Sequence, residues 1–432
     1  MTMKFIPHLL WIASTLIALG TWTAGARAEG PAPARVDLSD EDSLVRFALS
    51  NNHDLRAVRW EQDIASAGVS SASALSNPVA RGEWLHVQSP SDYGWGVGLE
   101  WAPPQPGVYG AGKDAARSNV RAVKADFSER AAELEAAVRR SYAQVGALEE
   151  EIALAEQSVA TRRSVHQAVK ERMAHGAASR IDLSLAAVSL ARGEQERDLL
   201  VLARSTEVTG LEALVGLPAD RAIDPSTHAK ASDAAFSVSL APGAASLEQR
   251  AVARRPQLQA DAARADAADS TLSAEHAKRW PWLALQARFR HHDQSTYPND
   301  VTLGLELTLP IFNQNPGPIA AAEASRRQLQ DVAVAHRYSI ERAVRALRTE
   351  CQRRREIAEH FASSIAPVLS EHAALVKQAL AGLELDLTAL LTAEDLVTKG
   401  GIEYLEARLA QRKSEIALAR ALGEYGRAAG SK

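Results

Sequence analysis

From Val301 to Leu309 apolar and polar positions alternate without a break. Val301, Leu303, Leu305, Leu307 and Leu309 are aliphatic, while Thr302, Gly304, Glu306 and Thr308 are small or polar. A period of two sends the leucines to one face of a strand and the polar set to the other. Pro310 ends the ladder because it has no N–H to donate. Residues 313–318 read as a turn-rich corner, and an Ala-rich helical pattern opens at Ile319. A short strand with one wholly aliphatic face, feeding straight into a long helix, makes sense if that face meets lipid.

Three other stretches alternate in the same way. Leu283, Leu285, Ala287 and Phe289 interleave with Ala284, Gln286, Arg288 and Arg290. Upstream, Trp95, Val97, Leu99 and Trp101 face one way and Gly96, Gly98, Glu100 and Ala102 the other. Ala80, Gly82, Trp84 and His86 share the apolar side, with Arg81 and Glu83 opposite. Each strand has about the 9–11 residues that a tilted membrane strand needs, with tryptophans near the ends as in an interfacial girdle. On a membrane reading the lipid-facing set is Trp95, Val97, Leu99, Trp101, Leu303, Leu305 and Leu307, and Glu100, Arg288 and Glu306 face the lumen; an ordinary hairpin on a soluble core would show the same alternation.

The remaining pattern is helical. Val120, Val123, Phe127, Leu134, Val138, Tyr142, Val145, Leu148 and Ile152 recur at spacings of three and four, a coiled-coil-like seam in a proline-free stretch. A helix of about 60 residues there would run about 90 Å. Shorter helices are predicted over 40–76 and 246–279, ended by Pro78 and Pro281. Gly176 and Gly382 interrupt the long helical patterns and predict tight helix–helix turns. Ser179 and Asp182 have the S-x-x-D form of a helix start.

These elements come twice. Leu44, Ala48, Leu55, Ala57, Ala65, Ala74 and Pro78 match Leu247, Ala251, Leu258, Ala260, Ala268, Ala277 and Pro281 at one constant offset. Gly98, Leu99, Glu100 and Pro104 match Gly304, Leu305, Glu306 and Pro310 at a second offset, which Gly176 and Gly382 keep. A correspondence of this length, whose offset shifts only inside a loop, predicts a tandem duplication. The expected boundaries are a signal peptide at 1–28, a first repeat at 29–216, a proline-bearing connector at 217–246, a second repeat at 247–423 and a C-terminal tail at 424–432.

Composition changes this picture little. The chain has 432 residues, a formal net charge of −4 and 5% aromatic residues, so close alanine-rich helix packing is expected in place of a bulky core. Lys4, the apolar run 9–19 and Ala26-Arg27-Ala28 form an export signal with an A-x-A cleavage site. No run reaches the ~18 apolar residues of a membrane-spanning helix. The single cysteine, Cys351, leaves no intrachain disulfide and no acylated cysteine at the mature N-terminus.

Few residues suggest chemistry. Gly107-Val-Tyr-Gly-Ala-Gly112-Lys113-Asp114 is one residue short of a phosphate-binding loop, because Asp114 stands where Ser or Thr would hold Mg²⁺; it reads as a flexible corner. His291-His292-Asp293 falls in an expected hairpin loop, where adjacent side chains make a poor metal site. Arg353-Arg354-Arg355, flanked by Glu350 and Glu356, reads as a solvated helix face. No catalytic constellation stands out. Neither enzyme activity nor a cofactor nor a metal centre is expected.

Two hairpins leave two unpaired edges, which lipid does not tolerate, so several copies must close one sheet. With the corner Gly304-Leu305-Glu306-Leu307-Thr308-Leu309-Pro310-Ile311-Phe312-Asn313 and the turns at Gly176-Ala-Ala-Ser179-Arg180-Ile-Asp182 and Gly382-Leu-Glu384-Leu385-Asp386-Leu387, the chain resembles the TolC-like outer-membrane channels of tripartite efflux pumps. The corner and layout are most similar to the cobalt–zinc–cadmium, heavy-metal branch.

The resemblance implies a mainly α fold with membrane β: long helical hairpins forming an α-barrel, and two β-hairpins per copy contributing to a homotrimeric barrel of about twelve strands. It further implies a passive conduit for heavy-metal cations in the outer membrane, extending into the periplasm. The partners would be a periplasmic adaptor (membrane fusion) protein and an inner-membrane RND pump, with outer-membrane lipid around the barrel and no nucleic acid. Gly176, Ser179, Arg180, Asp182, Gly382, Leu385 and Leu387 would form the tips that meet the adaptor. Glu384 and Asp386 would ring a closed entrance, although an acidic residue at a helix start also compensates the helix dipole. Export of organic compounds by the same channel, or a periplasmic coiled-coil scaffold, are the alternatives.

Overall fold

A computed structural model describes residues 40–86, 93–218, 223, 243–292, 299–382 and 387–426. All of them lie in one structural unit, Leu38–Lys432. The expected export signal and most of the connector fall outside the described residues.

The first helical segment is two helices, α1 (Glu41–Asn51) and α2 (His53–Ala72). The sequence pattern predicts one. Asn52 breaks it: its side-chain oxygen accepts from the Leu55 N–H at 2.8 Å, and its amide donates to the Leu214 carbonyl at 2.9 Å. A side chain that caps the second helix while tying down a distant one holds the break in place. The matching segment is broken the same way into α5 (Ala244–Arg254) and α6 (Pro256–Ala277), with Pro256 at the first position of the new helix, where its missing N–H costs nothing. Both segments stop before Pro78 and Pro281, at Ala72 and Ala277.

Helix α3 (Pro106–Ala174) has 69 residues and runs about 100 Å. It starts earlier than the seam predicts, so the glycine-rich 107–112 stretch is its first turns and not a flexible corner. Its neighbours are α2, α6, α4 (Arg180–Val215) and α9 (Leu387–Ala421). Along it Phe127, Val138, Val145 and Leu148 are buried, as are Ala122, Ala125, Ala131, Ala132 and Ala136. The small residues let backbones approach closely, and the core is thin. It divides into clusters strung along α3. One gathers Leu44, Phe47, Val138, Leu211 and Val215; another Leu247, Ile340, Val344, Ile416, Leu418, Leu422 and Tyr425. Gly216 ends α4 at φ 74°, where an added Cβ would stand 2.7 Å from the Asn51 carbonyl oxygen.

Helix α7 (Pro316–His360) passes through a π-helical turn, Phe361–Ile365, into α8 (Ala366–Gly382). The wider turn precedes Pro367, which has no N–H for the helical ladder. Nothing in the apolar spacing announces it. Among the described residues no helix is long and apolar enough to cross a membrane.

The strands β1 (Val79–His86), β2 (Tyr93–Trp101), β3 (Trp282–His292) and β4 (Asp300–Thr308) form one antiparallel sheet in that order. β1 and β4 are its edges, and the central pair, β2 with β3, joins the two halves of the chain.

Candidate functional site

The register settles what each face of the sheet carries. Ala80, Leu99, Ala287 and Leu303 form one cross-strand row, and Gly82, Val97, Phe289 and Val301 the next. Leu285 stands opposite Leu305, and Leu283 opposite Leu307. The predicted apolar set is therefore on one side, and it is uncovered: Leu303 is 79% exposed and Leu305 76%, with Trp95, Val97, Leu99 and Leu307 also exposed. Trp101 is half-buried, its indole N–H donating to the Ser76 carbonyl at 2.9 Å.

The opposite face is ionic. Arg81 pairs with Glu100 at 2.8 Å, and Glu83 reaches Arg290 at 3.3 Å and Arg288 at 3.8 Å. Gln286 donates to Glu306 at 2.8 Å. Glu83 lies on β1 and its arginines on β3, so its side chain must cross β2. The crossing point is Gly96, where a Cβ would sit 2.7 Å from Glu83 Oε1. Glycine at alternate positions of β2 is the sequence signal for this trough; the ion pairs across it were not legible from the alternation.

His291 and His292 end β3 and do not occupy a loop. The strand runs two residues further than expected, and Asp293 lies outside the described residues. His291 is fixed by Asn299 at 2.8 Å and lies 5.5 Å from the Trp95 ring.

At the other end of α3, Gly176 adopts φ 73° and the backbone N–H of Ala177 closes on the Arg172 carbonyl at 2.8 Å. Helix α4 then opens with a reciprocal capping box. The Asp182 N–H donates to the Ser179 hydroxyl at 3.1 Å, and the Ser179 N–H to the Asp182 carboxylate at 2.8 Å. Hydrogen bonds from the backbone and hydroxyl of Ser179 hold the Asp182 carboxyl below the usual carboxylate range. Arg180 is exposed, as is Ile181 beside it. Gly382 ends α8 and Leu387 begins α9; Glu384, Leu385 and Asp386 lie outside the described residues. Leu387 packs against the cluster of Val165, Val169, Ala186, Val376 and Leu390, which fastens the two helix pairs together near their turns.

A buried ionic knot joins α3, α4 and α9, and nothing in the spacing of the apolar residues marks it. Arg162 of α3 meets Glu394 of α9 at 2.8 Å, with side chains only 5% and 7% exposed. Arg162 also donates to the Ser189 carbonyl of α4 at 3.1 Å, and Glu394 accepts from Thr398 at 3.0 Å and from Ser158. Read by spacing alone, both charges look like part of a solvated helix face. The available clue was Gly193, whose missing side chain makes room for Arg162: a Cβ there would lie 3.1 Å from Arg162 Cδ. Nearer the middle of α3, burial and then repulsion from Glu406 push the Glu151 carboxyl above its ordinary value.

An aliphatic sheet face, an ionic face behind it and helices about 100 Å long describe a conduit better than a reaction centre. Comparison with known proteins points the same way. Residues 44–217 match the family described as outer membrane efflux protein. The chain is 26% identical over 417 residues to the pyoverdine export outer membrane protein OpmQ of Pseudomonas putida, spanning 88% of this chain and 85% of that one. Its fold is similar to that of CusC (TM-score 0.72, 18% identity, 91% of this chain and 97% of that one). It is also similar to the CmeC outer membrane channel of Campylobacter jejuni (TM-score 0.73, 14% identity, 89% and 85%). The family match and the OpmQ relative support an outer-membrane efflux channel, and the two structures support the fold.

Proposed function

We propose that the protein is the outer-membrane channel of a tripartite efflux system, a passive conduit whose energy comes from an inner-membrane RND pump through a periplasmic adaptor. The observation that carries this is the four-stranded sheet. Its leucine face is uncovered, its other face is ion-paired, and both outer edges belong to short strands that lipid would leave unsatisfied. Identical head-to-tail closure gives a ring. Three copies would supply twelve strands, with the leucines on lipid and Glu100, Arg288 and Glu306 in the lumen. The doubled order of helices and strands fits a duplicated unit.

In this reading Gly176, Ser179, Arg180 and Asp182, with Gly382, Leu385 and Leu387, form the adaptor-facing tips. Glu384 and Asp386 ring the entrance, where three copies of each carboxylate repel one another and attract cations. The cargo assigned from the corner sequence is heavy-metal cations. The similarity to a pyoverdine export protein brings an organic cargo beside it. A deletion strain separates them: sensitivity to cobalt, zinc or cadmium supports the metal reading. New sensitivity to dyes or antibiotics with unchanged metal tolerance supports the organic one. The conduit itself is tested by native mass spectrometry of detergent-extracted outer membranes. A trimer is expected, and a well-folded membrane monomer overturns the shared barrel.

A further inference from the structure

Where the strands give way to helices, the surface has a wide-open hollow of about 440 Å³ with Pro104, Val108, Tyr109, Gly112, Lys278 and Trp282 in its walls. Its frame is fixed. The Tyr109 hydroxyl donates to the Ser73 carbonyl at 2.8 Å, and the Gln105 amide donates to the carbonyls of Ala277 at 2.7 Å and Trp280 at 3.2 Å. Gly107 lets α3 close on α6, since a Cβ there would meet that of Ala277 at 2.8 Å. Gly112, by contrast, has nothing within 4 Å of where its Cβ would be. The glycine-rich start of α3 therefore does two things that no phosphate loop requires: it seats the helix and leaves a hollow beside it.

The walls have a definite chemistry. Tyr109 and Trp282 offer aromatic surface. Outside the walls but one helical turn beyond Tyr109, Lys113 holds its ammonium 5.9 Å from that ring's centroid, with no carboxylate partner among the described residues. Lys278 is also present, paired with Glu275 at 2.7 Å. Trp282 stands opposite Thr308 and so belongs, by alternation along β3, to the face of Arg288 and Glu306 and not to that of the leucines.

We infer that this hollow is a binding station for planar aromatic organic anions, in which the ring lies against Tyr109 and Trp282 and the anionic group meets Lys113. Flat aromatic ligands pair with aromatic walls in offset or edge-on geometry, and an ammonium beside the ring supplies a charge-assisted contact. The volume lies within the usual range of small-molecule sites, about 300–1,000 Å³. The inference rests on the conduit reading for its role, because that reading makes the ionic face the lumen; cyclic closure would then place one station per copy around the passage. It narrows the cargo to the organic class at this level of the channel.

The test is equilibrium binding of naphthalene-2-sulfonate to the purified, detergent-solubilised protein, followed by tryptophan fluorescence, with inorganic sulfate as the charge-only control. Saturable binding is expected to weaken about fivefold in Lys113→Gln, the scale of one half-exposed charge contact. It should be lost in Gly112→Leu, whose side chain grows into open space and leaves the helix intact. Equal binding by all three proteins, or displacement by equimolar sulfate, overturns the station. Conductance of the same preparations in planar bilayers reports the channel separately. Binding without conductance keeps the station and removes the conduit; conductance without binding does the reverse.

Discussion

Arg162 is the side chain whose loss should be felt most. Its guanidinium and the Glu394 carboxylate are both more than nine-tenths removed from solvent. Arg162→Met keeps the stem and deletes the charge, so Glu394 is left in place with the hydroxyls of Ser158 and Thr398 as its donors. Two neutral hydrogen bonds do not repay the dehydration of a carboxylate. Breaking a buried pair from one side costs about 3–5 kcal/mol. The intact pair is worth far less than that, because dehydrating both ions offsets most of their attraction. Arg162→Met with Glu394→Leu should therefore return to within about 2 kcal/mol of the parent. The assay is a double-mutant cycle in denaturant, followed by helical circular dichroism. Hydrogen exchange at Val165, Val169 and Gly193 would show whether the loss is local to the ends of the helix pairs. Single variants within about 1 kcal/mol of the parent, or strictly additive effects in the double variant, would refute the reasoning.

Leu305→Arg should impair membrane insertion by roughly 2–4 kcal/mol per copy at mid-bilayer, and Thr308→Arg on the ionic face far less; equal membrane fractionation of the two would mean that the lipid and lumen faces are misassigned. Replacing Glu384 and Asp386 together by Ala should alter single-channel conductance and weaken block by divalent cations, and unchanged traces would remove the gate while leaving the conduit. Glu151→Gln should stabilise the protein at neutral pH. Because the folded Glu151 pKa is raised, its stabilising contribution is full below the unfolded pKa and disappears as pH rises through the folded one. The gain from Gln should accordingly grow over that same interval and vanish in acid, and a gain constant with pH would contradict it.

Strand alternation makes the two faces of the sheet legible, though not the end of β3, which runs past Arg290 to His292. A period of two assigns faces unambiguously once one face is aliphatic, and the register agrees with it in every row from Ala80 to Leu307. The long seam of α3 is legible from its spacings of three and four, though not the helix start at Pro106. What spacing could not show was where a continuous helical pattern is cut. Asn52 works through a hydrogen bond to Leu214, far along the chain, and Pro367 is tolerated only because a π-helical turn precedes it. Buried charge was equally hidden. Arg162 sits beside a second arginine on a helix rich in charges, and only the facing glycine on α4 distinguishes it from a surface residue. Local pattern reports which way a side chain points; it does not report which distant element has made room for it.

The seam between the two halves of the sheet sets an order of events for the nascent chain. β1 with β2, and β3 with β4, each close over a short loop and can form as soon as they are made. β2 cannot. Its second neighbour, β3, follows the whole of α3, α4 and the connector, so Val97 waits for Phe289 across almost half of the polypeptide. During that interval an exported first half carries a bare β-edge and an uncovered row of Trp95, Val97 and Leu99, the surface that invites mispairing between chains. On the proposed outer-membrane reading, this topology favours shielding of the strand edge, or delivery of the complete chain, before insertion.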